Sequence, residues 1–370
     1  MSISMGRLAL LAAFGLGAVH LGAAQQFTIQ VLNTEEGSAT NAHGLNEHGQ
    51  VVGEQVDAQG VLHSVIWENG GWRNLGSLVN GQDSRAKKIN ANGYAVGTSR
   101  NASGIWQPVV YGDFGIRQLQ GLGGTSGFAN DINDSDLIVG SATSDRGGAR
   151  AATWNVAGDV KDLGGLGVSN REFNDLLAVN NGGVVAGSYF FLFEPFRAIA
   201  MRPGDKGFTD LGEPGRTDSS AYGINEAGDV VGGAGVRSGG RHAAIFDWQG
   251  GFTDLGVLDG DTDSQAYDIN NNGWVVGESF DVTVGNFKAF LYRDKQMVAL
   301  EDLIDPNSGW DSLEIAEGVN DQGWIVGSGF YKGEVRGFVL KPVPEPASMA
   351  ALGLGVLALA RKRRRRKNTV

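Results

Sequence analysis

The chain has 370 residues, 41 acidic against 30 basic, with 59 Gly, 8 Pro and no Cys. Without cysteine there is no disulfide framework, thiolate zinc site, cysteine nucleophile or acylated lipoprotein Cys. Glycine is more than double its average share of roughly 7%, yet Gly and Pro together stay below the roughly 25–30% of low-complexity disorder and no Gly-X-Y period runs through the chain, so the composition predicts a folded, turn-rich body.

Residues 1–24 combine a weakly basic start ending at Arg7, the apolar run Leu8 to Val19 and the small residues Gly22, Ala23 and Ala24. That order is the order of a secretory signal peptide, with cleavage expected before Gln25. The mature chain then opens on Phe27 to Leu32, which reads as a strand.

The body, residues 25–342, repeats one pattern. Asn46, Asn90, Asn133, Asn180, Asn225, Asn270 and Asn320 each follow a Leu, Ile or Val, and seven residues after each stands a glycine: Gly53, Gly97, Gly140, Gly187, Gly232, Gly277 and Gly327. Four before the Asn stands Ala in six copies, Leu176 being the exception. Asn at the first place of a turn and Gly at the fourth is a type I signature, with Asp136 replacing the Gly in the third unit. The turn predicts a hairpin, and the second Gly, inside a strand, marks a close backbone approach. Two more strands follow in each unit, as His242 to Trp248 and Phe252 to Leu255 illustrate, the last ending in Asp-Leu-Gly at Asp162, Asp210 and Asp254. Four short strands in about 45 residues make a propeller blade. The expected fold is therefore all-β, a seven-bladed β-propeller of four-stranded blades. The seventh unit lacks a fourth strand, and Phe27 to Leu32 is expected to supply it, closing the ring and removing free sheet edges. An open β-solenoid of the same period is the rival.

After the body, residues 343–370 have three unlike parts. Pro344-Glu345-Pro346 leads into fourteen uncharged residues, Ala347 to Ala360, followed by seven consecutive basic residues, Arg361 to Lys367. At about 1.5 Å per residue the apolar stretch covers about 21 Å, short of the ~30 Å hydrocarbon thickness, so it would span a membrane only with flanking residues. The basic cluster would hold the tail on the cytoplasmic side. Setting aside Arg7, the basic cluster and Glu345 leaves 22 basic and 40 acidic residues, a body near −18. Such a body argues against DNA, RNA or anionic lipid as partners and permits cation binding.

Pro344, Glu345 and Pro346, the apolar helix and the arginine cluster resemble the PEP-CTERM sorting signal of Gram-negative bacteria. That resemblance implies recognition by the membrane protease exosortase and transfer to the envelope or extracellular matrix. Bare anchoring by the transmembrane helix is the alternative. The Ile-Asn-x-x-Gly-x-Val-Val-Gly and Asp-Leu-Gly blocks resemble the extracellular HAF repeats over about residues 37–341, although the naming His-Ala-Phe is nowhere complete; Lys288-Ala289-Phe290 comes nearest. This second resemblance implies no particular activity.

Chemistry should break the repeat. Asp259, Asp261 and Asp263 are spaced like the start of a calcium loop, but Ser264 stands where glycine is required and Asn270 where Glu is expected, so a solvated acidic loop is the alternative. His43 and His48 flank the first Asn and read as turn histidines, with a zinc ligand or a base as the functional alternative. Trp67, Tyr111, Trp154, Trp248 and Tyr292 read as blade packing. Trp274 and Trp324, just after the turn Gly, are the candidates for a glycan surface. The aromatic cluster Tyr189 to Phe196 is either a contact surface or local core. No catalytic residue is identified. These features together predict an exported, non-catalytic surface or matrix protein that binds extracellular polysaccharide or a surface protein. A polysaccharide hydrolase or lyase, with acids converging from different blades, and a ligand-free spacer are the rivals.

Overall fold

Two consecutive apolar residues open the second strand of every unit, and they explain how the sheets stack. Side chains alternate sides along a strand, so neighbours in sequence must face opposite ways. Val51 accordingly packs with Leu32, Val326 and Val339, whereas Val52 packs with Ala86, Ile89 and Val109. The pair Val230 and Val231 divides in the same way, the first among Ala178, Ala198 and Leu211, the second among Ala266, Ile269 and Phe290. Each sheet is thus covered on both faces by the sheets before and after it in the chain.

The computed structural model describes residues 26–343 apart from 35–37, 165–171, 192–194, 213–217 and 238. The expected signal peptide and the tail from Pro344 onward, including Glu345 and Pro346, lie outside the described residues. Within them the molecule is all-β, with one short 3-10 turn, Leu300–Leu303. Five sheets have four antiparallel strands each, and an eight-stranded sheet consists of units three and four joined by a single parallel pair, Ala149 with Phe173. Unit one runs Ala39–Leu45, Val51–Val56, Leu62–Glu68 and Gly71–Asn74, each strand pairing with the next. In the last sheet Trp310–Val319, Ile325–Tyr331 and Glu334–Pro342 are followed by Phe27–Leu32, which pairs antiparallel with Glu334–Pro342 so that Phe27 faces Pro342 and Leu32 faces Gly337. The opening strand does fill the place left vacant in the seventh unit. The first strand of unit one contacts all three other strands of that sheet.

The seven asparagines form the connection between units. Each side-chain oxygen accepts backbone N–H groups of its own turn; that of Asn270 takes Asn272 N at 3.0 Å and Trp274 N at 2.9 Å. Each side-chain nitrogen donates to the backbone carbonyl of the next asparagine: Asn46 to Asn90 at 2.9 Å, Asn270 to Asn320 at 2.8 Å, and Asn320 back to Asn46 at 3.2 Å. All seven are buried. One residue type therefore closes its turn and ties that turn to its neighbour, which is why no substitute appears. Asp136 adopts a positive φ of 63° where the other turns have Gly, and its carboxylate accepts hydrogen bonds from Asn90 and Asn92, offsetting the backbone cost.

Nearer the start of the first strand, in four of the seven units, a hydroxyl fixes the neighbouring unit. Ser84 accepts the amide of Ser64 at 3.0 Å, Ser264 that of Ala243 at 2.8 Å, and Thr40 that of Gly337 at 2.9 Å. The Asp-Leu-Gly blocks are local caps: Asp162, Asp210 and Asp254 each accept the N–H of the following glycine, and Asn74 does the same at Gly76.

Candidate functional site

A β-bulge interrupts the first strand of every unit at the third residue before the asparagine. Pairing runs regularly to Ala42, skips His43 and resumes at Gly44; it skips Lys87, Asn130, Leu177, Tyr222, Tyr267 and Glu317 in the other units. A bulge inserts an unpaired residue and re-aims its side chain. The glycine seven after each asparagine makes it possible. A Cβ on Gly277 would overlap the carbonyl oxygen of Gln265, one on Gly327 that of Ile315, and the same clash arises in the other five units. Only glycine lets the first strand buckle against the second.

The seven bulged side chains converge. All of them, with Arg85 and Lys88, line one cavity of about 290 Å³. Beneath it, Lys88 reaches across to Asp268 at 3.1 Å and to the backbone carbonyl of Glu317 at 3.5 Å. Asp131 and Asp268 each accept the amide of the residue preceding the next unit's asparagine, Val179 at 2.8 Å and Val319 at 3.1 Å. Gly44, Gly223 and Gly318 occupy the equivalent place elsewhere, where seven long side chains could not fit; a Cβ on Gly223 would lie 2.9 Å from Asp268 Cα.

The lining is electrostatically uneven. Burial opposes charge on His43, but Glu317 at 2.8 Å and Glu54 at 3.7 Å outweigh it and hold the imidazolium up to about 10. Glu54 is buried too, yet His43 and Arg85, whose Nε lies 3.0 Å away, keep its carboxyl below the usual range. Burial lowers Lys87, with Asp175 partly compensating, while its Nζ donates to Asn130 Oδ1 at 2.6 Å. Burial raises Asp175, and lifts Asp131 to about 6 despite Lys88. On the other side, Tyr222 and Tyr267 meet edge to face with centroids 5.6 Å apart, and the Tyr267 hydroxyl donates to Glu278 at 2.7 Å. Burial raises the Glu278 carboxyl, and the charges of Glu317 and Glu314 add to that.

Apart from His43, the residues singled out by sequence lie elsewhere. His43 is not a turn residue: it belongs to the strand Ala39–Leu45, and its ring meets the two glutamates at the cavity. Trp274 lies over Gly323, with Phe27 at 6.4 Å and the Arg293 guanidinium at 5.0 Å. Trp324 lies over Gly49, with Lys341 Nζ at 3.9 Å. These contacts take up the ring faces a sugar would need, and both indoles pack between neighbouring units. Asp261 is nearly fully buried and pairs with Lys288 at 2.7 Å and Ser279 at 2.7 Å. Asp263 accepts the amide of Arg241 at 2.8 Å, and Asp259 borders a surface hollow beside Glu301 and Asp302. The three aspartates do not converge, and among the described residues no group of three or more His, Asp or Glu is arranged to hold a metal ion. Trp67, Tyr111 and Trp154 are buried core, as expected. Phe190 stacks on Phe196 with centroids 4.8 Å apart, and Phe173 and Phe196 remain exposed.

The signal that would have found the cavity is the column three before the asparagine. His, Lys, Asn, Leu, Tyr, Tyr and Glu stand there in turn, one place after the nearly constant Ala and two before the constant Leu, Ile or Val.

Residues 342–366 match the PEP-CTERM protein-sorting motif. The chain therefore carries the signal for export, exosortase processing and transient membrane anchoring. Among the described residues no helix is long and apolar enough to cross a membrane, and the expected transmembrane stretch 347–360 lies outside them. No curated protein matches the chain. Among solved structures it is similar to a puromycin hydrolase mutant complexed with PGG, at 12% identity and a TM-score of 0.56, covering 79% of this chain and 50% of that one. It is also similar to a structure from a study of two prolyl endopeptidases, at 11% identity and a TM-score of 0.51, covering 87% and 51%. The chain spans about half the length of these proteins, and at such identity the likeness is one of fold alone.

Proposed function

We propose that the body, residues 25–342, is a closed seven-bladed propeller of the HAF-repeat type, delivered by a signal peptide and sorted through its tail to the cell envelope or the extracellular matrix, where it binds a glycan without cleaving it. The ring of asparagine hydrogen bonds returning from Asn320 to Asn46, and the pairing of Phe27–Leu32 with the last unit, support the closed form. The observation that carries the function is the cavity of about 290 Å³ into which seven bulges aim chemically different side chains. A spacer has no use for such a column, since a repeat could fill it with one small residue. Aromatic faces beside hydrogen-bonding groups are the usual dress of a sugar site.

Thermal shift of the full chain against a panel of mono- and oligosaccharides tests this. A ligand that raises the melting temperature in the native chain should lose its effect in Leu177→Trp, which fills the cavity. No shift with any sugar would remove the reading.

Hydrolysis is favoured by one observation, the raised carboxyl of Glu278 beside Glu317 and Glu314. A general acid needs such a shift. Release of new reducing ends by the native chain, abolished in Glu278→Gln, would establish cleavage in place of binding.

A further inference from the structure

The cavity gathers cations within an acidic body. The mature body is near −18, and the lining holds Arg85, Lys87, Lys88 and the charged His43 with one carboxylate, Glu317, while Glu54 behind His43 and Arg85, and Asp268 beside Lys88, are their ion-pair partners. Two of these cations have unused donors. Arg85 engages Glu54 through Nε and lies beside the Trp106 ring, its terminal nitrogens having no hydrogen-bond partner among the described residues, and Lys87 spends one of its three N–H groups on Asn130. Lys88 is committed below to Asp268.

The two faces of the cavity differ. In a sevenfold ring the second unit stands opposite the gap between the fifth and sixth. Arg85 and Lys87 belong to the second unit, Tyr222 and Tyr267 to the fifth and sixth, so cationic donors face the tyrosine pair. Among the described residues the Tyr222 hydroxyl has no protein partner, and Glu317 engages one oxygen, with His43. A ligand matching this set has one anionic group at one end, a ring with an apolar face at the other, and hydroxyls between. The volume is at the lower end of the ~300–1,000 Å³ that accommodates drug-sized ligands, enough for one sugar ring and not for an extended oligomer. Glu317 within the lining opposes a multiply charged anion such as phosphate, because a second negative charge would stand near its carboxylate.

We infer that the axial cavity recognises a uronate, a sugar ring bearing one carboxylate, with Arg85 and Lys87 taking the carboxylate, Tyr222 and Tyr267 the ring face, and Tyr222 and Glu317 the hydroxyls. This rests on the glycan-binding reading above and narrows it to acidic sugars. Arg85 offers the planar pair of N–H groups suited to a carboxylate, and Lys87 adds a point charge.

Calorimetric titration of the full chain with glucuronate and galacturonate, against glucose, galactose and inorganic phosphate, tests it. The uronates should bind at least tenfold more tightly than the neutral sugars. Lys87→Met should erase most of that preference, and Arg85→Lys, which keeps the charge beside Glu54, should weaken uronate binding severalfold. Tyr222→Ala should weaken both sugar types. Equal affinity for acidic and neutral sugars, or an unchanged preference in Lys87→Met, would overturn the uronate assignment and leave glycan binding standing. Phosphate binding as tightly as a uronate would also overturn it, in favour of a simple anion site. Heat from no sugar at all would remove the underlying reading together with it.

Discussion

The side chain that enters the cavity stands three positions before the asparagine that follows each first strand, and the two columns obey opposite rules. The asparagine is the same in all seven units because it satisfies its own turn and the next unit's carbonyl at once. The bulged residue is His, Lys, Asn, Leu, Tyr, Tyr or Glu because its backbone is unpaired and its side chain answers to the cavity. Repetition in this chain encodes the scaffold, and the site is written where repetition stops.

The sharpest way to break that contrast is at the glycine that permits the bulge. Gly277→Ala puts a methyl group onto the Gln265 carbonyl, and backbone on both sides prevents escape. A loss of about 4 kcal/mol is expected, at the upper end of single-site effects, read as the shift of the urea midpoint. A loss under about 1 kcal/mol would mean that the first strand can flatten, and the bulge would cease to explain the cavity.

Asn270→Ala comes next. It removes two hydrogen bonds to its own turn and one to Asn320, all in a buried setting. At roughly 1 kcal/mol for each bond, about 3 kcal/mol is expected by the same measurement, with Asn270→Asp recovering only the turn half. Equal losses in Ala and Asp would show that the bond between units dominates.

Much of the scaffold is legible in the sequence because it rests on residue types with few substitutes. The turn Asn and Gly, the glycine that cannot carry a Cβ, and the apolar pair that must face both ways mark each unit, and counting strands shows that the seventh needs Phe27–Leu32. The cavity is not legible by the same route. A search for rare clusters leads to Asp259, Asp261 and Asp263, of which the last two bind their own protein neighbours, and to Trp274 and Trp324, whose faces are covered. His43 reads as a turn residue because its distance from the turn is short in sequence, whereas the bulge gives it a direction no periodicity predicts. Its partners Glu317 and Glu54 lie 274 and 11 positions away, and only folding brings them together.

That histidine supplies the third prediction. Its value of about 10 in the folded chain stands above the ordinary 6.5, so the charged ring stabilises the native state fully below about pH 6.5, and the contribution fades as pH rises through about 10. A shift of this size corresponds to several kcal/mol in full; the partial exposure of the ring reduces it to on the order of 2 kcal/mol. The native chain should therefore lose about that much more stability between pH 7 and pH 10.5 than His43→Gln does. The imidazole NMR signal should also stay in its charged position past pH 8. Titration near 6.5 would dissolve the link between the bulge column and its charge.

The smallest effect tests whether the tryptophans belong to the scaffold or to a second site. Lys341 Nζ sits 3.9 Å from the Trp324 ring, at the edge of a small hollow of about 110 Å³ shared with Trp67, Trp72 and Gln30. Lys341→Met removes the cation and leaves an apolar side chain of similar reach, so about 0.5–1 kcal/mol of stability should disappear. If Trp324 were a sugar platform held shut by the lysine, neutral sugars would bind the variant more tightly than the native chain. If it is packing, as its contact with Gly49 indicates, calorimetry will show unchanged sugar affinity and only the small loss of stability. A gain in sugar affinity would place a second site outside the bulge column, at the turns between neighbouring units.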